Sequence, residues 1–349
     1  MDEFRVRTRI IDPVGSDDRP FLRSFLASLG LDFEDDVELS AVVSDGDSVI
    51  ATASLAGDVI KCVGVLPGRE GEGAAARAVS AVVSEAEAKG RRRLFVYTRP
   101  ANAPVFKSLG FISLASTPDV ALLENDPKAF AAWADGVAGL LPGGAAEGAV
   151  VVNGNPFTRG HRYLIERAAA ACRGGNLLVL VVAGERSSFP GAVREALVRA
   201  GTADIGNVVV ASAGPYCVSG ATFPAYYLKE KSRASELQAA LDAELFASRI
   251  APALGLRRRF VGTEPYCPVT EAYNAALARA LPGHGLELVE MPRVELAGAA
   301  ISASAVRTAI REGDMGRVAE LVPATTMEWL RSPEAERVIR TIRAGSGRH

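Results

Sequence analysis

Residues 149–169 read AVVVNGNPFTRGHRYLIERAA, an apolar β-branched run that breaks at Asn-Gly-Asn-Pro and passes within a few residues into a helical pattern. This step constrains the fold more than any other feature because it recurs along the second half of the chain. NLLVLVVAG (176–184) leads to GAVREALVRAG (191–201), and RRFVGTEPYCPVTEAYNAALARA (258–280) repeats the strand-to-helix step. NVVVASAG (207–214) and GLELVEMPR (285–293) supply further strands. Runs that are apolar without alternation, such as Leu177 to Val182, belong to strands covered on both faces, which implies a parallel sheet with crossover helices. From Ser302 to Arg343 the pattern is one of consecutive helices.

The first part of the chain has a different grammar. DSVIATASLAGDVIKCVGVLP alternates short β-branched runs with Gly and Asp turn signals, so two or three antiparallel strands are expected between about Val42 and Leu66. GAAARAVSAVVSEAEAKG has helical spacing and stops at Lys89-Gly90, RLFVYT reads as a strand, and ANAPVFKSLGFISL as a short helix and another strand. A helix around Lys128 to Ala138 precedes LLPGGAAEGA, whose Gly, Pro and small residues mark a linker. The expected organisation is an α+β domain over residues 1–125, a short helix and linker over 126–147, and an α/β domain with C-terminal helices over 148–349.

Composition bounds the function. Of 349 residues 48% are hydrophobic and 23% charged, which suits two or three globular domains. With 39 basic and 41 acidic residues the formal net charge is −2, so no general electrostatic drive towards nucleic acid or an anionic membrane exists. Neither is expected as a partner. Cys62, Cys172, Cys217 and Cys267 stand far apart with no C-x-x-C pair, which argues against a disulfide framework or a zinc site. No metal-ligating set is expected. No apolar run approaches a membrane span and MDEFRVRTRIIDP lacks a signal-peptide pattern, so a cytoplasmic location is expected.

In an open parallel sheet, ligands sit beyond the carboxyl ends of the strands, where loop leads into helix. The TRGH step is such a place. A helix N-terminus offers unpaired N–H groups and a partial positive charge, Gly160 would permit close approach of a phosphate, and His161 with Thr158 would donate to a phosphoryl oxygen. The competing reading is that His161 caps or packs at a helix start. Later in the chain ISASAVR (301–307) places Ser302 at an N-cap, Ser304 in the first turn and Arg307 one turn on, so that two hydroxyls and a guanidinium converge on phosphates. Its alternative is a Ser-capped helix with a solvated Arg.

Thr158-x-Gly160-His161 resembles the [HT]-x-G-H signature of the nucleotidyltransferase superfamily, and ISASAVR resembles its I-S-x-[ST]-x-[IV]-R motif. With NPFTRGHRYLIERAA, FPGAVREALVRAGTADIGNVVV, SGATFPAYYLKEKS and VGTEPYCPVTEAYN, the second half is similar to the citrate lyase ligase family. The first half resembles the GNAT-like domain at the N-terminus of that family. The fold implied is a GNAT-like α+β domain followed by a Rossmann-like nucleotidyltransferase domain. The activity implied is ATP-dependent activation of acetate, or a similar small carboxylate, to an acyl-adenylate. The acetyl group then passes to the thiol on the citrate lyase acyl carrier protein, with ATP and Mg²⁺ required. The resemblance implies His161 and Thr158 as catalytic residues at the α-phosphate. It implies an ATP site built from Asn153, Asn155, Phe157, Gly160, Ile301, Ser302, Ser304 and Arg307, with Gly262, Thr263 and Glu264 towards ribose or adenine. Arg194 is either a further phosphate ligand or a residue on the surface of an amphipathic helix. Thr270, Tyr273 and Asn274 are candidates for the acyl or carrier side, whereas Cys217 and Cys267 are not required as acyl carriers.

One stretch departs from the resemblance. Where GNAT proteins bind the coenzyme A pyrophosphate through a [QR]-x-x-G-x-[GA] loop, this chain has EGEGAA (70–75), and the carboxylates of Glu70 and Glu72 oppose an anion there. Arg69 is adjacent, and Gly71 and Gly73 read equally as turn residues. Weak or absent acetyl-CoA binding and a docking or vestigial role are expected for the first domain. The alternatives left open by sequence are an adenylyltransferase acting on phosphopantetheine or a mononucleotide, a GNAT acetyltransferase with an ATP-binding regulatory half, and a scaffold for a citrate lyase subunit.

Overall fold

The computed structural model describes residues 6–12, 18–172, 174–184, 187–218, 223–228, 233–263, 268–296 and 299–345. The chain divides into two compact units, Met1–Phe130 with Thr222–Leu241, and Ala131–Ala221 with Asp242–His349. Residues 222–241, expected in the second domain from their place in the sequence, group with the first unit instead. No helix among the described residues is long and apolar enough to cross a membrane.

Unit 1 runs β1 (Val6–Ile11), α1 (Asp18–Ser28), β2 (Leu39–Asp45), β3 (Ser48–Ala56), β4 (Val59–Val65), α2 (Ala74–Ala88), β5 (Phe95–Thr98), α3 (Ala103–Ser108), β6 (Ile112–Ser116) and β7 (Ala121–Glu124). Among the described residues these strands form one sheet of order β1-β2-β3-β4-β5-β7-β6. The hairpins β2-β3 and β3-β4 turn at Gly46 (φ 59°) and Gly57 (φ 55°), left-handed positions at the first central residue of tight turns. Helix α2 buries Ala74, Ala78, Val79, Val82 and Ala86 against the sheet. That apolar stripe is what anchors the helix, since isolated helices of this length are marginal in water.

Helix α4 (Ala129–Ala138) spans the division between the units. Unit 2 continues with β8 (Gly148–Val152), α5 (Arg159–Ala171), β9 (Leu177–Val181), α6 (Gly191–Gly201), β10 (Val208–Ser212), α7 (Ala234–Leu245), α8 (Ala251–Ala253), β11 (Arg258–Gly262), α9 (Pro268–Ala280), β12 (Glu287–Met291), β13 (Glu295–Leu296), β14 (Ala299–Ala300), α10 (Ala303–Glu312), α11 (Met315–Leu321), α12 (Ala324–Leu330) and α13 (Ala335–Ala344), with α7 entering it at Asp242. Its main sheet has the order β10-β9-β8-β11-β12 with every pairing parallel. All five residues of β9 are buried, the structural counterpart of its unalternating sequence. Leu177, Val179 and Val181 pack into one cluster with Val150, Ile165, Val198, Val306, Ile310 and Leu330. Burial of each such side chain is worth about 1.5–3 kcal/mol, so the C-terminal helices are part of the core. The strand order reverses between β8 and β11, which makes their carboxyl ends the topological switch point where open α/β sheets bind ligands.

Candidate functional site

The loop leaving β8 at the switch point delivers Thr158 as the N-cap of α5. Thr158 Oγ1 accepts the His161 N–H at 3.3 Å, and the Thr158 N–H donates to His161 Nδ1 at 3.1 Å, a reciprocal capping box. This fixes the tautomer. With Nδ1 accepting, the imidazole proton resides on Nε2. Burial, and secondarily the Arg293 guanidinium, push the His161 pKa down to about 4 from the usual 6.5. The ring is therefore a neutral Nε2–H donor across the physiological range. It lies parallel to Phe157, with centroids 5.9 Å apart and planes 14° apart. Because the folded-state pKa is lowered, this histidine contributes stability that is fully present above about pH 6.5 and is lost as pH falls from there towards 4.

The second motif is packed directly on the first. A Cβ at Gly160 would meet the Ile301 carbonyl oxygen at 2.7 Å. The approach of ISASAVR by itself thus requires glycine here, a packing constraint that the sequence did not disclose. Ile301 is held from the other side by its N–H to Val294 O at 3.2 Å. Ser302 caps α10 by accepting the Ala305 N–H at 3.1 Å. Arg307 is only 5% exposed, donates Nη2 to Ser304 Oγ at 3.2 Å, and donates Nη1 to the Asn155 carbonyl. It stitches α10 to the TRGH loop, and the solvated-arginine alternative does not hold.

The citrate lyase ligase C-terminal domain family matches residues 147–330. The chain is 36% identical over 317 residues to the [citrate [pro-3S]-lyase] ligase of Klebsiella pneumoniae, covering 89% of this chain and 92% of that one. The Escherichia coli K12 protein of the same name is also 36% identical over 317 residues, with 89% and 90% covered. The chain belongs to the citrate lyase ligase family. Among solved structures it is similar to Escherichia coli ElaA (14% identity, TM-score 0.30, covering 35% of this chain and 99% of that one). It is also similar to Thermotoga maritima TmcAL bound with alpha-thio ATP (15%, TM-score 0.37, covering 55% and 57%).

The remaining candidates of this citrate lyase ligase family member sort by what they touch. Arg194 is fully buried and every guanidinium nitrogen donates to the main chain or to Asn153. Nε reaches Phe189 O at 3.0 Å, Nη1 reaches Asn153 O at 2.8 Å and Val182 O, and Nη2 reaches Gly184 O at 2.8 Å. It is therefore neither a ligand facing the site nor a surface residue, the two roles its sequence allowed. It ties the loop ends of β8 and β9 together beneath the site. Asn155 works in the same layer, its Oδ1 accepting the Phe189 N–H at 3.0 Å, and Phe157 is a core residue whose carbonyl accepts from Thr326 Oγ1 at 3.1 Å. Asn153 is exposed at the β8 end, where its Oδ1 accepts from Arg194.

At the other side of the switch point, Gly262 ends β11, and its carbonyl accepts from Asn274 Nδ2 at 3.0 Å. The Thr263 N–H donates to Met291 O at 2.8 Å, which leaves its side chain at the strand edge. Glu264 and Cys267 lie outside the described residues. Tyr273 donates to Asp242, whose other oxygen accepts the Val218 N–H at 2.6 Å. Burial raises the pKa values of Asp242, Tyr273 and Cys217, and all three belong to this interior cluster, so Cys217 is a poor nucleophile. Thr270 is half-buried on α9.

Sequence reading missed Arg293. It follows β12 in the loop beyond the carboxyl edge, its side chain lies 3.6 Å from where a Gly262 Cβ would stand, and its charge is felt by His161. A cation placed among His161, Gly262 and the strand ends suits polyphosphate. The signal available in the sequence was a basic residue just past a parallel strand, in MPR, without a motif to single it out.

Proposed function

We propose that this citrate lyase ligase family member activates acetate with ATP and passes the acetyl group to the thiol of the citrate lyase acyl carrier protein. One observation carries the proposal. A neutral imidazole, its tautomer set by the Thr158 N–H, presents Nε2–H at the switch point beside the start of α5. Such a donor is suited to the non-bridging oxygens of an α-phosphate, where charge builds as the phosphorus is attacked.

In the first step an acetate oxygen bonds to the α-phosphorus, the bond to the bridging oxygen breaks, and pyrophosphate leaves with the electron pair. In the second, the carrier thiol loses its proton to solvent and attacks the acetyl carbon, and AMP leaves with the oxygen that joined it to the acyl group. His161 holds the α-phosphate, and the N–H groups of Arg159 and Gly160 serve the same anion, since the His161 N–H caps onto Thr158 Oγ1 and the first intrahelical bond is the one Arg162 makes to Thr158. Arg293, Ser302 and Ser304 border the path of the β- and γ-phosphates. Mg²⁺ would accompany ATP, bridging its phosphate oxygens.

Carboxylate-dependent exchange of pyrophosphate into ATP tests the reading. Acetate or a close homologue supports exchange if it is correct. No exchange with any short carboxylate, together with adenylylation of phosphopantetheine or a mononucleotide, would reassign the acceptor.

A further inference from the structure

In unit 1, β4 and β5 are the one parallel pair among the described residues, and they pair only through Val59–Phe95 and Ile60–Val96. Beyond Ile60 the strands part. The carboxyl ends of a parallel pair joined by a crossover helix are where such sheets receive ligands, and the parting leaves edge N–H and carbonyl groups in need of partners. Residues 223–228, FPAYYL, meet both strands there. They follow β10 in sequence but belong to unit 1.

The contacts are those of a built peptide site. The Asp32 N–H donates to Tyr226 O at 2.9 Å, the Ala225 N–H to Glu34 Oε1 at 2.6 Å, and Arg99 Nη2 to Tyr227 O at 3.0 Å. Glu34 is itself fixed by the buried Lys61 at 2.7 Å. The Val63 N–H of β4 bonds the Tyr226 phenol, and Phe223 sits edge-on to Tyr97 of β5, centroids 5.6 Å apart. Phe223, Tyr226 and Tyr227 are all buried. The loop before α2 is also self-satisfied. Glu70 accepts the Gly68 N–H at 2.7 Å, and Arg69 is held by Glu72 at 2.6 Å and Asp45 at 2.9 Å. The chain's own carboxylates thus take up the Gly68 amide and the Arg69 guanidinium just before the segment aligned with the pyrophosphate loop.

We propose that the opening between β4 and β5 is a peptide-binding cleft whose ligand is the chain's own segment 223–228, so that unit 1 serves as an internal docking module and is closed to acyl-coenzyme A. This rests on unit 1 alone and does not depend on the acetate-activating reading of unit 2.

Cys62 reports on the cleft. It is fully buried beside Tyr226, its Sγ lies 3.7 Å from Asp32 O, and burial pushes its thiol up to about 12. The full chain is treated with N-ethylmaleimide at neutral pH, and each cysteine is followed by peptide mass mapping. Cys62 should be protected in the native protein and label at least about 10-fold faster in Tyr226→Ala as exposure restores ordinary thiol reactivity. Cys172, buried in unit 2, should keep its rate. Tyr227→Phe removes a buried hydroxyl that has no hydrogen-bond partner and should leave Cys62 protected. Phe223→Ala is the milder opening variant should Tyr226→Ala fail to fold. Equal Cys62 labelling in the native chain and both opening variants would overturn the proposal, as would calorimetric binding of acetyl-CoA to the native chain with a micromolar Kd.

Discussion

Replacing His161 with Ala is expected to slow acetyl-adenylate formation by about 10²-fold or more per folded molecule, the usual effect of losing one preorganised donor to developing charge. ATP affinity should change far less, because the donor acts mainly as charge accumulates on the phosphate. The fold will register the change too. The ring closes the capping box with Thr158 and stacks on Phe157, so a loss of about 1 kcal/mol is expected. Single-turnover rates beside a thermal melt of the same preparation separate the two contributions. In the native protein, ¹⁵N shifts of the imidazole should report the Nε2–H tautomer from neutral pH down to about pH 4. A histidine titrating near 6.5, or an Ala variant with unimpaired turnover, would remove His161 from the role given to it.

The second large effect is on stability. Arg194→Met should destabilise unit 2 by at least about 3 kcal/mol, because it strands the carbonyls of Asn153, Val182, Gly184 and Phe189 that converge on the buried guanidinium and are satisfied by it. For a unit of this size that corresponds to a fall in Tm of roughly 6–12 °C by calorimetry. Arg194→Lys should rescue little, since one ammonium cannot serve acceptors spread across a planar fork. A phosphate ligand at the surface would behave differently, with a change within about 0.5 kcal/mol and a raised KM for ATP.

These two residues also show what a sequence can and cannot disclose. The parallel sheet was legible because strands buried on both faces lose their alternation, as β9 does, and the two motifs were legible because each couples a helix cap to polar residues at fixed offsets. β1 was not legible. Its residues Arg7, Thr8 and Arg9 are exposed on an edge strand, and VRTRII carries no apolar period. β7, four buried residues, is too short for periodicity to register. The burial of Arg194 depends on carbonyls brought from two other loops, and the grouping of residues 222–241 with unit 1 depends on partners about 130–190 residues away in sequence, from Arg99 to Glu34. Neither leaves a trace in local pattern. At Gly160 the motif was legible and the packing constraint was not, because the atom that forbids a side chain there belongs to Ile301, far along the chain.

The central claim is that acetate oxygen bonds directly to the α-phosphorus at the β8–β11 switch point. Acetate labelled with ¹⁸O, supplied with Mg-ATP and the acyl carrier protein, tests it most directly by mass spectrometry of the nucleotide product. The account predicts AMP carrying one ¹⁸O and unlabelled pyrophosphate, since the bridging oxygen of acetyl-adenylate comes from acetate and stays with AMP when the thiol attacks the acyl carbon. Unlabelled AMP, or ADP with label in orthophosphate, would contradict it.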